Sequence, residues 1–181
     1  MRVVLLAAGR SSRTTGLKQL YRVQDEYLIN IQIKRLLDYG FDVILVLGYM
    51  KRQIEAVLKY KTTLLYNEDY DKGMFSSVQK VFASVKDEDL ILTHIDRPVA
   101  DKTVFDALLQ SGSEIAVASY QHQKAPPILI RASMRKGVLN TPLKRLDHWI
   151  ASTDTASYIE VDDERILYNA NTDAQLRRYF A

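Results

Sequence analysis

The chain has 181 residues, 47% of them hydrophobic and 26% charged, which suits a globular protein with one sizeable core. The formal net charge is +3 without a basic stripe, and no apolar run approaches the roughly 20 residues of a membrane span. Without cysteine, disulfides and thiolate metal sites are excluded. We expect a single cytoplasmic domain over residues 1–181 that binds neither nucleic acid nor membrane.

Short apolar runs alternate with amphipathic ones along the chain. The first half is predicted to form strand 2–8, loop 9–17, helix 26–39, strand 41–47, helix 50–60, strand 62–66, loop 67–73 and helix 74–85. The second half is predicted to form strand 90–95, a helix capped by Asp101 that runs to about residue 109, strands 115–120 and 127–131, one or two helices within 132–155 that include 143–150, strand 158–161, and a last helix from Asn171 or Thr172 to 180.

Repeated strand–helix–strand units predict a Rossmann-like, three-layer α/β/α fold with a mostly parallel central sheet. Ligands of such sheets bind beyond the carboxyl ends of the strands. The loops at Gly9, Asn67 and Asp96 are therefore expected to converge at one edge of the sheet.

The loop after the first strand has the chemistry of a phosphate site, and its residues are Leu6, Ala7, Ala8, Gly9, Arg10, Ser11, Ser12 and Arg13. Small residues let the backbone approach a ligand closely, and successive N–H groups in a turn bind anions. Arg13 can grip a phosphate with two donors, and Lys18 adds a point charge. A P-loop is excluded because Leu17 separates Gly16 from Lys18, and the dinucleotide fingerprint lacks its glycines. An ordinary turn with solvated arginines stays open as the alternative.

The pattern Leu-Ala-Ala-Gly-x-Ser-x-Arg with a lysine downstream resembles the first motif of nucleotidyltransferases similar to molybdenum cofactor cytidylyltransferase. Further segments resemble the family's motifs in the family's order: residues 67–77, Asp96-Arg97-Pro98, residues 127–130 and residues 169–172. The resemblance implies an enzyme that uses Mg²⁺, transfers a nucleoside monophosphate to a phosphate acceptor such as molybdopterin, and releases pyrophosphate. Ala7-Ala8-Gly9 and the serine pair after Gly73-Met74 are typical of the cytidylyl branch, so CTP is favoured over GTP.

The resemblance also implies roles for single residues. Asp96 would be the leading Mg²⁺ ligand, although an aspartate just before Pro98 also suits a turn. Asn171 would be the second oxygen donor, in a place where the cytidylyl branch usually has aspartate, and a helix cap is its alternative. Arg13 and Lys18 would hold the β- and γ-phosphates and stabilise the leaving pyrophosphate.

The second motif adds Asn67 and Gly73 to the predicted nucleotide site. Ser76 and Ser77 would bind the base or the ribose, and ordinary helix capping is the equal alternative.

Four bulky side chains receive structural interpretations. Met74, Phe75 and Trp149 are expected in the core. His94, on the same side of its strand as the predicted metal ligand two residues later, could contact the second substrate, but a hydrogen-bonded core histidine is favoured.

Departures from the family pattern fall mainly in the half that should bind the acceptor. Ala125-Pro126 stands in place of Gly-His, residues 134–157 lack a Gly-Asp-x-Gly-Ala-Arg stretch, and Thr15 takes the place of a loop glycine. A pterin, a sugar phosphate or another phosphomonoester would each fit the chemistry.

Two other functions stay open. One is a non-catalytic nucleotide sensor or cofactor-maturation partner, and the other is a sugar-1-phosphate nucleotidyltransferase, which the short chain disfavours. The resemblance also implies contact with a molybdoenzyme or a maturation protein.

Overall fold

Seven of the nine strands form one sheet, and the computed structural model describes residues 1–180. The elements in chain order are β1 (Arg2–Leu6), β2 (Arg22–Val23), β3 (Glu26–Tyr27), α1 (Leu28–Asp38), β4 (Asp42–Leu47), α2 (Lys51–Glu55), β5 (Thr63–Tyr66), α3 (Met74–Ser84), β6 (Leu90–His94), α4 (Lys102–Gln110), β7 (Ile115–Tyr120), β8 (Gln123–Ile130), α5 (Arg135–Asn140), α6 (Leu146–Ala151), β9 (Ala156–Glu160) and α7 (Asp173–Phe180). Short 3₁₀ helices lie at Lys18–Leu20, Tyr70–Lys72, Ala132–Met134 and Glu164–Leu167.

β1 lies inside the sheet, whose strand order is β5-β4-β1-β6-β8-β7-β9. Among these seven strands, β8 alone runs antiparallel to its neighbours, β6 and β7. Val3 and Leu5 pack with α1 and α4 on one face, whereas Val4 and Leu6 pack with α3 and α6 on the other. The predicted three-layer arrangement with a mostly parallel sheet is therefore confirmed. Within residues 1–180, no helix combines the length and the apolar character that crossing a membrane requires.

The first helix is shorter than predicted at its amino end. It begins at Leu28 rather than at Glu26, which is extended in β3. The Glu26 carboxylate accepts hydrogen bonds from Tyr27 N–H (2.8 Å) and Asn30 Nδ2 (2.9 Å). Glu26 also pairs with Val23 in the β2–β3 hairpin, so it is held extended and the helix begins after it.

The second helix covers Lys51–Glu55 instead of the predicted residues 50–60. The fully buried Asn30 donates to Val57 O (2.9 Å) and accepts from Lys59 N–H (3.1 Å). A side chain thus satisfies backbone groups that a longer helix would pair internally, and the chain leaves the helix early.

In the second half, the strand predicted over residues 127–131 is the end of a longer strand, β8, which forms a hairpin with β7. The stretch 132–155 contains α5 and α6. Trp149 is 3% exposed and stacks on Phe75 with ring centroids 6.0 Å apart, which confirms both as core residues.

Asp101 precedes α4 as predicted, but its side chain does not cap the helix. Its carboxylate pairs with Arg165 (2.5 Å) and Arg35 (3.4 Å), and its N–H donates to Asp163 Oδ2 (2.8 Å). The predicted cap is wrong because two guanidinium groups offer the carboxylate charge-assisted bonds. The network ties α4 to the segment that follows β9.

Candidate active site

The loops that follow β1 and β6 meet the loop before α3 at one edge of the sheet, as the topology predicts. They enclose the first cleft, which measures about 300 Å³. Eight predicted site residues line it: Leu6, Ala8, Gly9, Ser11, Lys18, Gly73, Ser77 and Asp96.

Lys18 is the centre of a polar network in this cleft. Its side chain is 8% exposed, and Nζ lies 3.0 Å from Asp96 Oδ2 and 3.1 Å from Asn171 Oδ1. A buried ammonium needs such partners, because its desolvation is costly. Asn171 reaches the site because Ala170 N–H donates to Asp96 O (2.8 Å). Three predicted residues from distant segments therefore meet at one point.

The loop after β1 leaves a run of backbone amides without acceptors in the part of the chain that the structure describes. Ser11 has a left-handed φ of 56°, and its hydroxyl accepts from Lys18 N–H (3.1 Å). Within residues 1–180, the N–H groups of residues 9–13 donate to no acceptor of the protein. Consecutive free amides in such a turn form an anion-binding nest.

Two buried glutamines that the sequence analysis did not single out shape the site. Gln19 donates from Nε2 to Ala7 O (2.7 Å), which holds the first loop. Gln32 donates to Arg97 O (2.5 Å) and accepts from Val99 N–H (3.1 Å), which holds the loop around Asp96. Their only signal in the sequence is a polar side chain at a buried position of an otherwise apolar pattern.

Arg10, which was predicted to bind the nucleotide, does not line the first cleft. At the rim of this cleft it joins the loop after β1 to the loop before α3. It forms a forked pair with Asp71 (2.8 and 2.7 Å), and its guanidinium lies 5.5 Å from the ring centroids of both Tyr49 and Tyr70. The hydrogen bond and the charge of Asp71 raise the pKa of Arg10. In this arrangement Arg10 acts as a brace between loops.

Three other residues of the first loop also lie outside the lining. Ala7 is buried in the core, and its N–H donates to Val46 O (3.0 Å). Ser12 and Arg13 are exposed. Arg13 nevertheless borders the Lys18 network, because its Nη2 donates to Asn171 Oδ1 (2.8 Å).

Asn171 does not cap the last helix, which begins at Asp173. Gln175 Oε1 accepts from the Asn171 N–H (2.9 Å), while the Asn171 side chain faces the two cations described above. The capping alternative is therefore wrong. Asp173 binds Thr15 through the N–H (3.2 Å) and the hydroxyl, so the loop position without its expected glycine is anchored to α7.

Asn67 organises the loop before α3 from just behind the cleft. It is 3% exposed and donates from Nδ2 to Ser76 Oγ (2.8 Å) and Ser77 Oγ (2.9 Å). Ser77 lines the cleft, whereas the Ser76 hydroxyl lies 2.7 Å from Gly73 O. Neither serine caps α3, whose N-cap position is Gly73, so that alternative is wrong.

Gly48, directly after β4, lets the chain pass close to the loop after β1 and to the loop before α3. A Cβ atom at this position would lie 2.8 Å from Tyr70 Cβ and 2.9 Å from Ala8 O. Tyr49 N–H donates to the same Ala8 O (3.0 Å). Only glycine therefore fits here without displacement of the cleft rim.

A second cleft of about 440 Å³ lies beside the first. Apolar and aromatic side chains provide most of its wall: Met74, Val117, Ala125, Pro126, Ile128, Leu146, Ile150, Ala151 and Tyr158. Its charged lining residues are Arg97, Lys124, Arg145 and Asp147. Arg145 pairs with Asp147 (3.0 and 2.7 Å), and Lys124 Nζ lies 3.6 Å from the Tyr158 ring centroid. Three cations against one carboxylate favour an anion that carries an apolar body.

Met74 and His94 line both clefts. Met74 is 43% exposed, so its predicted core position is wrong; it is the first residue of α3, directly after the turn at Gly73. His94 Nε2 is buried without a hydrogen-bond partner, so the favoured interpretation of a hydrogen-bonded core histidine is also wrong. Burial lowers the pKa of His94 to about 4, although the charge of Asp96 opposes this shift.

The oxygen atoms around Lys18 show whether a divalent metal ion would fit this site. Asp96 Oδ2 and Asn171 Oδ1 come from separate segments and already converge on one cation, the Lys18 ammonium. Mg²⁺ prefers one or two protein oxygens combined with phosphate oxygens. Within residues 1–180, no group of three or more histidine, aspartate or glutamate side chains is placed to hold a metal ion. The residues therefore fit a metal that arrives with a nucleotide.

Comparisons with known proteins complete the description of the site. The family of MobA-like NTP transferase domains matches residues 3–156. The molybdenum cofactor cytidylyltransferase of Escherichia coli K12 is 26% identical over 168 residues, which cover 86% of this chain and 87% of that protein. The crystal structure of Rv0371c from Mycobacterium tuberculosis H37Rv has a TM-score of 0.86 at 22% identity over 99% of this chain and 96% of that one. The manganese complex of Rv0371c has a TM-score of 0.80 at 20% identity over 99% and 97% of the two chains.

Proposed function

Because this chain belongs to the family of MobA-like NTP transferase domains, it is a nucleotidyltransferase, and we propose that it transfers CMP from CTP to a phosphate acceptor, with molybdopterin as the first candidate. The name of the relative from Escherichia coli supports both the nucleotide and the acceptor. The observation that carries the proposal is the meeting of Lys18, Asp96 and Asn171 beside the free amides of residues 9–13.

Nucleotidyl transfer needs alignment and charge neutralisation more than covalent help from the protein. An oxygen of the acceptor phosphate attacks the α-phosphorus of CTP, the bond to the bridging β-phosphate oxygen breaks, and pyrophosphate leaves with the electron pair. The amides of residues 9–13 would bind the β- and γ-phosphates. Lys18 and Arg13, which share Asn171 Oδ1 as acceptor, would stabilise the negative charge on the leaving pyrophosphate.

We assign Mg²⁺ to Asp96 and Asn171, and the manganese complex of Rv0371c supports a divalent metal in this fold. When bound, the metal neutralises charge on the phosphates. Lys18 would then direct its charge to the phosphates instead of to Asp96. Because Asn171 is neutral, we expect weaker metal binding than two carboxylates would provide.

The base and the acceptor would occupy opposite ends of the joined clefts. Ser77, held by the buried Asn67, is placed to contact the base or the ribose. The second cleft, with its apolar wall and surplus cations, would hold the acceptor. Its location beside Asp96 would bring the acceptor phosphate to the α-phosphorus of the nucleotide.

The proposal is tested by measuring pyrophosphate release from CTP, GTP, UTP and ATP in the presence of Mg²⁺ and either molybdopterin, a sugar 1-phosphate or no acceptor. We expect release with CTP and molybdopterin only. A preference for GTP or UTP would contradict the nucleotide assignment. Release with the sugar 1-phosphate instead would support a sugar nucleotidyltransferase, and CTP binding without release would support a nucleotide sensor.

Asp96→Ala tests the metal site in the same assay. We expect loss of Mg²⁺-dependent release with an unchanged circular dichroism spectrum, because Asp96 is 24% exposed and lies at a strand end outside the core. Asp154→Ala, at an exposed turn before β9, is the matched control and should keep full activity. Retained activity in Asp96→Ala would remove Asp96 from the metal site.

A further inference from the structure

We propose that Asp173, the first residue of α7, is a positioning residue of the nucleotide site: it holds the loop after β1 in the shape that binds the triphosphate. This inference rests on the proposed function, which assigns that loop to the β- and γ-phosphates. It adds a residue that lies beyond residues 3–156, over which the chain matches its family.

The contacts of Thr15 carry the first step. Its N–H donates to both oxygens of the Asp173 carboxylate (3.2 Å each), and its hydroxyl donates to Oδ2 of the same group. In the described part of the chain, residues 1–180, these are the only hydrogen bonds that join residues 14–16 to a segment outside the loop. Asp173 therefore fixes the chain just after the free amides of residues 9–13.

The other end of the free amides is held separately. Gln19 donates from Nε2 to Ala7 O (2.7 Å) and accepts from the Ser11 hydroxyl (3.3 Å). Removal of the Asp173 carboxylate would thus release one end of the loop and leave the other in place. An anion nest needs several amides that point at one place, so its affinity depends on how both ends of the loop are held.

The start of α7 is a firm support for this contact. Leu176 is 1% exposed and belongs to the core cluster against which Leu17 and Leu20 pack. Thr172 and Gln175 form a capping box, in which Gln175 N–H donates to Thr172 Oγ1 (3.3 Å) and Gln175 Oε1 accepts from Thr172 N–H (3.1 Å). The carboxylate that follows the cap residue is therefore held in one place relative to the core.

The sign of the charge distinguishes positioning from a direct electrostatic effect. The hydroxyl and the N–H of Thr15 donate hydrogen bonds that lower the pKa of Asp173, so the carboxylate is ionised at pH 7. An ionised carboxylate repels phosphates, and loss of its charge alone would strengthen nucleotide binding. Positioning predicts the opposite result, which is weaker binding when the carboxylate is removed.

Calorimetry on the full chain tests the role with three ligands, each in the presence of Mg²⁺: a non-hydrolysable CTP analogue, pyrophosphate and CMP. We expect Asp173→Ala to weaken binding of the analogue and of pyrophosphate about tenfold, the cost of losing one or two hydrogen bonds. Binding of CMP should stay unchanged, because CMP lacks the phosphates that the loop holds. Asp173→Asn, which keeps an oxygen acceptor for Thr15, should retain most of the affinity.

Two further variants separate the contact from the stability of the helix. Ala174→Gly, at an exposed position of α7, weakens the helix but keeps the carboxylate, so it should bind the CTP analogue as the wild type does. Thr15→Val removes the hydroxyl and keeps the N–H, so its effect should be smaller, about threefold. Added to Asp173→Ala, it should cause no further loss, because the two residues act through one contact.

In turnover, Asp173→Ala should raise the KM for CTP and leave the KM for the acceptor unchanged. Equal or tighter binding of the CTP analogue by Asp173→Ala overturns the role of Asp173. Equal weakening of CMP and the CTP analogue, or the same loss in Ala174→Gly, would show a purely structural role and overturns the proposal as well. Failure of the wild type to bind the CTP analogue overturns the proposed function itself, and this inference with it.

Discussion

The two clefts share one boundary but are built from different kinds of interaction. In the first, Lys18 joins Asp96 and Asn171 from distant segments, and a buried glutamine holds its loop. In the second, the wall is apolar, and the ion pair at its rim joins Arg145 to Asp147, its neighbour two positions along the chain. Under the proposed function, the first cleft would be preorganised for one charged ligand, whereas the second would select by shape and by a small excess of positive charge.

Lys18→Met should have the largest effect, because it removes the central cation of the first cleft. We expect kcat to fall by about 10²- to 10³-fold, the cost of losing one preorganised charge at the leaving group. Lys18 Nζ lies 3.0 Å from Asp96 Oδ2 and would compete with the proposed metal for this oxygen, so the variant should also need less Mg²⁺ to reach its own maximal rate. Pyrophosphate release across a Mg²⁺ titration measures both effects.

Lys86→Met, at an exposed lysine, is the control and should match the wild type. Wild-type kcat in Lys18→Met would show that the first cleft does not depend on its central charge.

Asp163→Asn should act on stability, because Asp163 lines neither cleft. Asp163 is 6% exposed and accepts from Arg165 Nε (2.8 Å) and Asp101 N–H (2.8 Å). Burial opposes ionisation, yet these bonds keep the pKa of Asp163 below its ordinary value. We expect the free energy of unfolding at pH 7 to fall by about 2 kcal/mol, which corresponds to roughly 6 °C in Tm. The effect is moderate because Arg165, the partner of Asp163, is only partly buried.

The pH dependence of that loss follows from the sign of the shift. Because the pKa is lower in the folded state, the carboxylate stabilises the protein above the unfolded value near 3.9, and this stabilisation is lost as the pH falls below it. Melting curves should therefore show the two proteins converging in Tm as the pH falls below about 5. A Tm difference that is constant with pH would contradict the assigned ion pair.

Gly48→Ala should loosen the first cleft without touching the second. The added Cβ atom would meet Tyr70 Cβ at 2.8 Å and Ala8 O at 2.9 Å, so the loop rim must shift. We expect the Kd for CTP to rise about tenfold and the acceptor affinity to stay unchanged. Gly16→Ala is the control, since no atom lies within 4 Å of its Cβ position. An equal loss of affinity for CTP and for the acceptor would show that the two clefts are not independent.

Lys124→Met should have the smallest effect. Lys124 lies over the Tyr158 ring and pairs with no carboxylate in the described residues, so it contributes mainly to the positive field of the second cleft. We expect a two- to fivefold rise in the acceptor KM, reduced at high salt, with CTP unaffected. Initial rates at two salt concentrations measure this; a salt-independent change would argue against an electrostatic role.

The same contrast explains how much the sequence could predict. Residues such as Gly9, Lys18 and Asp96 lie at strand ends or in contiguous motifs, and parallel topology alone brings strand ends together. The second cleft draws on β7, β8, α6 and β9. Among these segments only residues 127–130 of β8 resemble a family motif, and β8 runs antiparallel, so the wall that the segments form was not predictable from spacing.

Buried polar side chains account for most remaining errors. Asn30 ends α2 by bonding to the backbone of residues 57 and 59, although periodicity favours a longer helix. Gln32 supports the Asp96 loop from inside an amphipathic helix. Hydrophobic patterns show which face of a helix is buried, but they do not identify the backbone group that a buried amide will pair with.

In the proposed reaction, the first cleft delivers the α-phosphate of CTP to an acceptor in the second. It is tested most directly by following label from CTP marked at either the α- or the γ-phosphate, with Mg²⁺ and molybdopterin. We expect α-label in the acceptor product and γ-label in pyrophosphate, with neither in Asp96→Ala. Transfer of γ-label to the acceptor, or hydrolysis of CTP without labelled product, would contradict it.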